Sequence, residues 1–218
     1  MPNRKTNKKE DVNPKIDNED VYDEQSEGCD DNSFFDEKAL ARLLTHRSIY
    51  LFGPINKHSV LSVISQIHIC ETVSYDDITI YINSEGGYVS DCFALIDVMD
   101  NSKCDISTVV LGIAASAACL IASNGTKGKR FGGKYSEFMY HESYGDLVDV
   151  SQSQLPHYMR QFGKIQKTMD KIFQRNTGKS VVEIKKKFLE KKLDRYMSSC
   201  EAKGFGIIDK ILCTRKKR

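Results

Sequence analysis

Beyond a polar N-terminal stretch, apolar residues fall into short runs broken by polar and glycine-rich segments, and their spacing alternates between two periods. Continuous or period-two apolar runs predict strands at Ser48-Ile49-Tyr50-Leu51-Phe52, closing at Gly53-Pro54, and at Ile78-Thr79-Ile80-Tyr81-Ile82. A third strand runs through Thr108-Val109-Val110-Leu111. Shorter ones are Phe138-Met139-Tyr140, ending at His141, and Tyr196-Met197-Ser198. Helical spacing marks residues 35–44, residues 60–69 (Val60, Leu61, Ile64, Ile67), and a segment after Gly86-Gly87 carrying Phe93, Leu95, Ile96, Val98 and Met99. A helix of small residues follows the third strand. A long amphipathic helix spans residues 154–174, with Leu155, Tyr158, Met159, Phe162, Ile165, Met169, Ile172 and Phe173 on one face and Gly178 as its C-cap. That face fits either core or a subunit interface. A last helix covers residues 181–192, and Ile207-Ile208-Asp209 closes the apolar pattern. Strands alternating with helices predict an α/β domain built of βαβ units.

The ends read differently. Residues 1–34 begin basic (Arg4, Lys5, Lys8, Lys9) and turn acidic (Glu19, Asp20, Asp23, Glu24, Glu27, Asp30, Asp31), with too few apolar residues to nucleate a core. They form a solvated tail, a removable pro-segment or a docking arm. Residues 35–212 are the globular domain, and residues 213–218 a basic C-terminal tail. The 218 residues, 40% of them hydrophobic, suit one mid-sized domain with a real core. A net charge of +2 with 28% charged residues lacks the electrostatic footprint of a nucleic-acid binder. The seven cysteines are odd in number, scattered and without CxxC spacing. They support neither a zinc site nor a disulfide framework, and fit a reducing, cytoplasmic setting. The start has no apolar signal region, and no run of ~18 apolar residues predicts a membrane span.

Candidate chemistry gathers at the strand ends. Ser116 sits in Gly112-Ile113-Ala114-Ala115-Ser116-Ala117-Ala118, where a strand gives way to a helix. A helix start offers free N–H groups and partial positive charge, so a serine there is a candidate nucleophile with an oxyanion site beside it. The same run also reads as a small-residue helix packed on a sheet, with Ser116 a bystander. Of the five histidines (46, 58, 68, 141 and 157), only His141 ends an apolar strand, and it is either a base or a structural residue. Asp194 enters an apolar segment and needs a partner, which is Arg195, a lysine or His141. Gly86-Gly87 directly follows a strand. The pair is either a tight turn or a place where a peptide backbone comes close. With the Ala117 N–H, the Gly86 N–H would make a two-donor oxyanion hole, with Gly87 and Tyr88 as candidate substrate-binding residues.

These segments resemble, in order, the motifs of the Clp protease proteolytic subunit family. Tyr81-Ile82-Asn83-Ser84-Glu85-Gly86-Gly87-Tyr88-Val89 is similar to its I-N-S-P-G-G-x-V segment, and Gly112-Ile113-Ala114-Ala115-Ser116-Ala117 to its G-x-A-A-S-M segment. Gly125-Thr126-Lys127-Gly128-Lys129-Arg130-Phe131 matches G-x-K-G-K-R-Y/F, and Met139-Tyr140-His141 the segment with the catalytic histidine. Asp194-Arg195-Tyr196-Met197-Ser198, Glu201-Ala202 and Gly206-Ile207-Ile208-Asp209 match the close of the family pattern. The resemblance implies a fold of repeated ββα units shared with crotonases, with a long protruding helix. It implies Ser116 as nucleophile, His141 as base and Asp194 as orienting carboxylate, with no metal or cofactor. It also implies heptameric rings, stacked in pairs by the long helix, that degrade unfolded polypeptides fed by a hexameric Clp ATPase, with no nucleic acid or membrane as partner.

Departures from the family pattern are specific. Glu85 stands where the family has proline, Ala117 replaces methionine, and Glu142-Ser143-Tyr144-Gly145-Asp146-Leu147-Val148-Asp149 replaces a Q-P and glycine-rich stretch. The lysine-rich segment before Asp194 is expanded. Other readings are a non-catalytic ring subunit and a related serine peptidase that processes signal peptides or phage capsid proteins. A crotonase-like acyl-CoA enzyme needs no such serine, histidine and aspartate.

Overall fold

Burial alternates strictly along the first two strands. In β1 (Ser48–Phe52) Ile49 and Leu51 are buried, and in β2 (Ile78–Ser84) Ile78, Ile80, Ile82 and Ser84 are. Successive side chains point to opposite faces, so one face of each strand meets the apolar core. On the opposite face Tyr50 and Tyr81 stack, with ring centroids 5.0 Å apart. The computed structural model describes residues 37–144, 151–189 and 194–212. The tails expected over residues 1–34 and 213–218 lie outside the described residues, as does Gly145-Asp146-Leu147-Val148-Asp149.

Strand order is β1-β2-β3-β4-β7, all parallel, where β3 is Ile106–Ala115, β4 Arg130–Gly132 and β7 Lys210–Ile211. A further strand, β5 (Glu137–Met139), pairs parallel with β3 and antiparallel with β6 (Tyr196–Ser198). Helix α1 (Glu37–Thr45) precedes β1, and α2 (Lys57–Val73) and α3 (Val89–Asn101) join the first three strands. Then α4 (Ala117–Ser123) leaves the end of β3. The described residues thus form the expected α/β domain, with seven strands and seven helices.

β3 serves two neighbours, and this positions the site. Thr108 to Val110 pair with β4, whereas Ile113 to Ala115 pair with β5. Between the two stretches Gly112 has φ 87°, and a Cβ there would stand 2.6 Å from Asn83 Oδ1. That oxygen accepts the Ile113 N–H at 3.1 Å, so the Asn83 side chain repairs the ladder where the register against β2 slips. The resulting bulge turns the end of β3 away from β4 and onto β5. The ends of β3 and β5 therefore lie side by side.

Capping explains the helix limits. Asn56 and Ser59 form a reciprocal capping box at the start of α2. The long helix α5 (Leu155–Thr177) carries Pro156 in its first turn and ends, as expected, at Gly178 with φ 73°. Its C-terminal half buries Met169 and Phe173, while Leu155 and Met159 at the other end stay 42% and 58% exposed. Of the last helix expected over residues 181–192, residues 190–192 lie outside the described residues. Helix α6 (Val181–Ile184) passes into a π-helical turn, Lys185–Leu189. Three elements had no counterpart in the apolar pattern, the short β7 among them. One is β4, whose three residues include a buried arginine. Another is α7 (Ser199–Phe205), which a capping box of Ser198 and Glu201 starts and Gly206 ends.

Buried Arg130, 1% exposed, ties these pieces together. Its guanidinium pairs with Asp209 at 2.7 Å and donates to the Ser123 and Asn176 carbonyls. Burial pulls the Asp209 pKa up. The hydrogen bonds and charge of Arg130, with the Gly128 N–H, outweigh burial and hold that carboxyl below its ordinary range.

Candidate active site

Ser116 occupies the single residue between β3 and α4, with φ 54° and ψ −122°. A non-glycine residue at positive φ carries strain of order 1–3 kcal/mol, and such strain clusters at functional sites. Its side chain makes no capping bond to α4, although its position is that of an N-cap. The hydroxyl is instead aimed at His141, with Oγ to Nε2 2.8 Å. The Ser116 N–H donates to the Met139 carbonyl at 2.8 Å, two residues before His141. The bulge in β3 makes that bond geometrically available.

His141 is largely enclosed, its side chain 15% exposed, and its Nδ1 faces Asp194 Oδ1 at 3.3 Å. Asp194 leads into β6, which pairs with β5, so the antiparallel ladder delivers the carboxylate to the imidazole. Asp194 is itself 57% exposed. With Nδ1 protonated toward Asp194, Nε2 is left to accept the serine proton. The structure thus joins the three candidates in one chain of contacts. The other histidines, 46, 58, 68 and 157, are all exposed. The Tyr144 ring meets the His141 ring edge-on, with centroids 5.2 Å apart, a neighbour that the residue pattern did not single out.

The glycine loop lies against the serine. A Cβ on Gly86 would stand 2.7 Å from Ser116 Cβ, 2.8 Å from the Ala115 carbonyl oxygen and 3.1 Å from Ala117 N, so only glycine fits. A Cβ on Gly87 would collide with the Ile55 backbone, which pairs with this loop in a short parallel bridge. Ala117, the first residue of α4, heads that helix beside Ser116. The Gly86 N–H, expected to be open, donates to Ser84 Oγ at 3.0 Å. A serine two residues before an N–H makes such a local turn readily. The Gly87 N–H has no acceptor among the described residues. Tyr88 is 69% exposed beside it and anchors its own N–H on the Ile55 carbonyl.

Beneath the site, Cys92 and Cys119 are fully buried. Burial pushes the Cys119 thiol up to about 12, which keeps it protonated and inert. No cluster of metal-ligating side chains occurs among the described residues, and no helix there is long and apolar enough to cross a membrane.

The Clp protease family matches residues 33–215 of the chain. An ATP-dependent Clp protease proteolytic subunit of Streptococcus mutans is 37% identical over 174 residues, which is 79% of this chain and 87% of that protein. The family match runs across the segments that bring Ser116, His141 and Asp194 into contact, and with the relative's identity it shows that the chain belongs to the Clp protease family and is a Clp-type serine peptidase.

Proposed function

We propose that the chain cleaves peptide bonds with Ser116 as nucleophile, His141 as general base and then general acid, and Asp194 as orienting carboxylate. The observation that carries this is the 2.8 Å contact between Ser116 Oγ and His141 Nε2, backed by Asp194 on the far ring nitrogen. As Ser116 Oγ attacks the scissile carbonyl, its proton passes to His141 Nε2. Asp194 balances the imidazolium through Nδ1–H. The carbonyl oxygen gains charge beside the Ala117 N–H, where the N-terminus of α4 also favours it. The second donor comes from the glycine loop. Gly86 donates only if it exchanges Ser84 Oγ for the oxyanion, whereas the Gly87 N–H is uncommitted, so Gly87 is our preferred donor. His141 then protonates the leaving amine, and water repeats the sequence on the acyl-enzyme.

Substrate and assembly follow from the family. Unfolded polypeptides are the substrate class, and Gly87 and Tyr88 are the residues they run against. The relative's name includes ATP dependence, which supports an ATPase partner here, and the exposed apolar end of α5 supports self-association. The five described cysteines are all free, which supports a reducing, cytoplasmic setting.

The direct test is labelling of the intact protein by a fluorophosphonate, with Ser116→Ala as control. Labelling of the wild type at Ser116, and loss of both labelling and peptide cleavage in the variant, supports the assignment. Cleavage by Ser116→Ala at the wild-type rate rules it out.

A further inference from the structure

The residues flanking His141 are gripped by two side chains of α5. Tyr140 is fully buried, and its hydroxyl donates to Asp170 Oδ1 at 3.0 Å. Gln166, one turn earlier on α5, donates from Nε2 to the same oxygen at 2.8 Å. Its Oε1 accepts the Ser143 N–H, also at 2.8 Å. One i, i+4 pair therefore holds the residue before His141 by its side chain and the residue two places after it by its main chain. The Tyr140 ring stacks on Phe173 at 4.3 Å and meets Phe188 edge-on at 5.8 Å, which leaves it little freedom.

Stability alone does not account for this arrangement. Asp170 is 4% exposed, and among the described residues it has no ion-pair partner. A buried carboxylate met only by hydrogen bonds is costly against an apolar side chain of similar size. A satisfied polar network does fix geometry, because its bonds are directional and leaving one open is expensive. Burial, and after it the Asp170 charge and hydrogen bond, push the Tyr140 pKa upward, so the phenol stays protonated and keeps donating.

We propose that Asp170 and Gln166 are positioning residues, which act through Tyr140 and the Ser143 main chain to keep the His141 imidazole on Ser116. The proposal rests on the reading of Ser116 and His141 as nucleophile and base. Without the clamp, the strand end carrying His141 keeps its ladder bonds and the packing of the Tyr140 ring, but the main chain beyond His141 loses its anchor and the imidazole drifts from the serine. Displacements well under 1 Å suffice to slow proton transfer about tenfold, given the ~100-fold cost of a 1 Å misplacement.

The test uses full-length protein and the rate of Ser116 labelling by a fluorophosphonate across pH, a single event that needs the serine–histidine pair but no substrate alignment. Gln166→Met removes the amide's contacts to Ser143, Asp170 and the Tyr140 hydroxyl, keeps the side-chain length and leaves α5 helix-favouring. It is expected to slow labelling about tenfold, to shift the acid limb of the labelling profile, and to lower kcat for a fluorogenic peptide with little change in KM. Asp170→Leu should do the same, while Asp170→Asn, which keeps an acceptor for Tyr140 and Gln166, should recover labelling to within about twofold of wild type. If Asp170→Leu does not fold, Gln166→Met carries the test, since Gln166 is only part-buried. Wild-type rates and an unshifted acid limb in Gln166→Met overturn the proposal. So does a loss that merely tracks a fall in native mass or melting temperature, because the clamp is then structural only. Labelling of Ser116→Ala, run alongside, would instead sink the underlying assignment, a result distinct from normal labelling of the clamp variants.

Discussion

Ser116 Oγ and His141 Nε2 lie 2.8 Å apart across 25 residues of sequence because both stand at the ends of neighbouring parallel strands. The Ser116 N–H is bonded to Met139, so backbone and side chain of the serine are both tied to the segment that carries the imidazole. The pair is set by the ladder between β3 and β5. Asp194 arrives separately, two residues ahead of a short antiparallel strand, and its contact is longer and more open.

That difference sets the first prediction. Asp194→Asn should leave the Ser116–His141 contact in place but favour the wrong tautomer of His141. Loss of the orienting carboxylate costs up to about 10⁴ in kcat in buried triads. With Asp194 57% exposed, water substitutes in part. The expected loss is therefore nearer ~10², with KM for a fluorogenic peptide close to wild type. Wild-type kcat in this variant would remove Asp194 from the mechanism.

The glycine loop gives the second. Ser84 Oγ takes the Gly86 N–H and so fixes the peptide that precedes Gly87. If Gly87 supplies the oxyanion donor, Ser84→Ala loosens that loop and kcat falls roughly tenfold, a fraction of the ~10²–10³ lost with a whole donor. If Gly86 is the donor, the same change frees it and kcat rises. Steady-state cleavage of one peptide by the two proteins therefore identifies the donor.

Gly86→Ala tests the packing of the loop on the serine. The new methyl meets Ser116 Cβ at 2.7 Å and the Ala115 oxygen at 2.8 Å, at a φ of 104° that alanine rarely adopts. Neither neighbour is the free end of a flexible side chain. The loop must move, and peptide cleavage should fall by at least about 10², the cost of a misplacement near 1 Å. Circular dichroism should remain that of the wild type. Full activity in Gly86→Ala would mean that the loop approaches Ser116 less closely than in this structure.

Much of this arrangement is legible in the residue pattern alone. The alternation of Ile78, Ile80 and Ile82 reports a strand with one buried face, and the strand-to-helix change at Ser116 reports a hydroxyl at a sheet edge. Local pattern did not report pairing. The order in which strands lie, and hence the meeting of Ser116, His141 and Asp194, depends on long-range contacts that no periodicity encodes. It came only from resemblance to a family. The bulge at Gly112 and the donation from Gly86 to Ser84 depend on single side-chain contacts, and so were invisible. Helix α7 was missed although its signals were present, a serine with glutamate three residues on and a glycine at the far end. β4 escaped because a buried arginine interrupts it, its charge met by Asp209 about 80 residues later, a pairing that short-range reading does not see.

The Arg130–Asp209 pair yields a prediction about stability and pH. Arg130 is 1% exposed and Asp209 15%, so removing the carboxylate strands a buried cation. Asp209→Ala should destabilise the fold by about 3–5 kcal/mol. Asp209 is held below its ordinary 3.8 in the folded chain, so the unfolded chain binds that proton more tightly. The contribution of the carboxylate is then complete above that ordinary value and is lost as pH falls through the folded value. The difference in melting temperature between wild type and Asp209→Ala should be constant from neutrality down to about pH 5 and shrink progressively below it. Comparing the two proteins at each pH cancels the titration of the other carboxylates. A difference that stayed the same into strong acid, or widened there, would show that Asp209 is not held as a buried anion by Arg130.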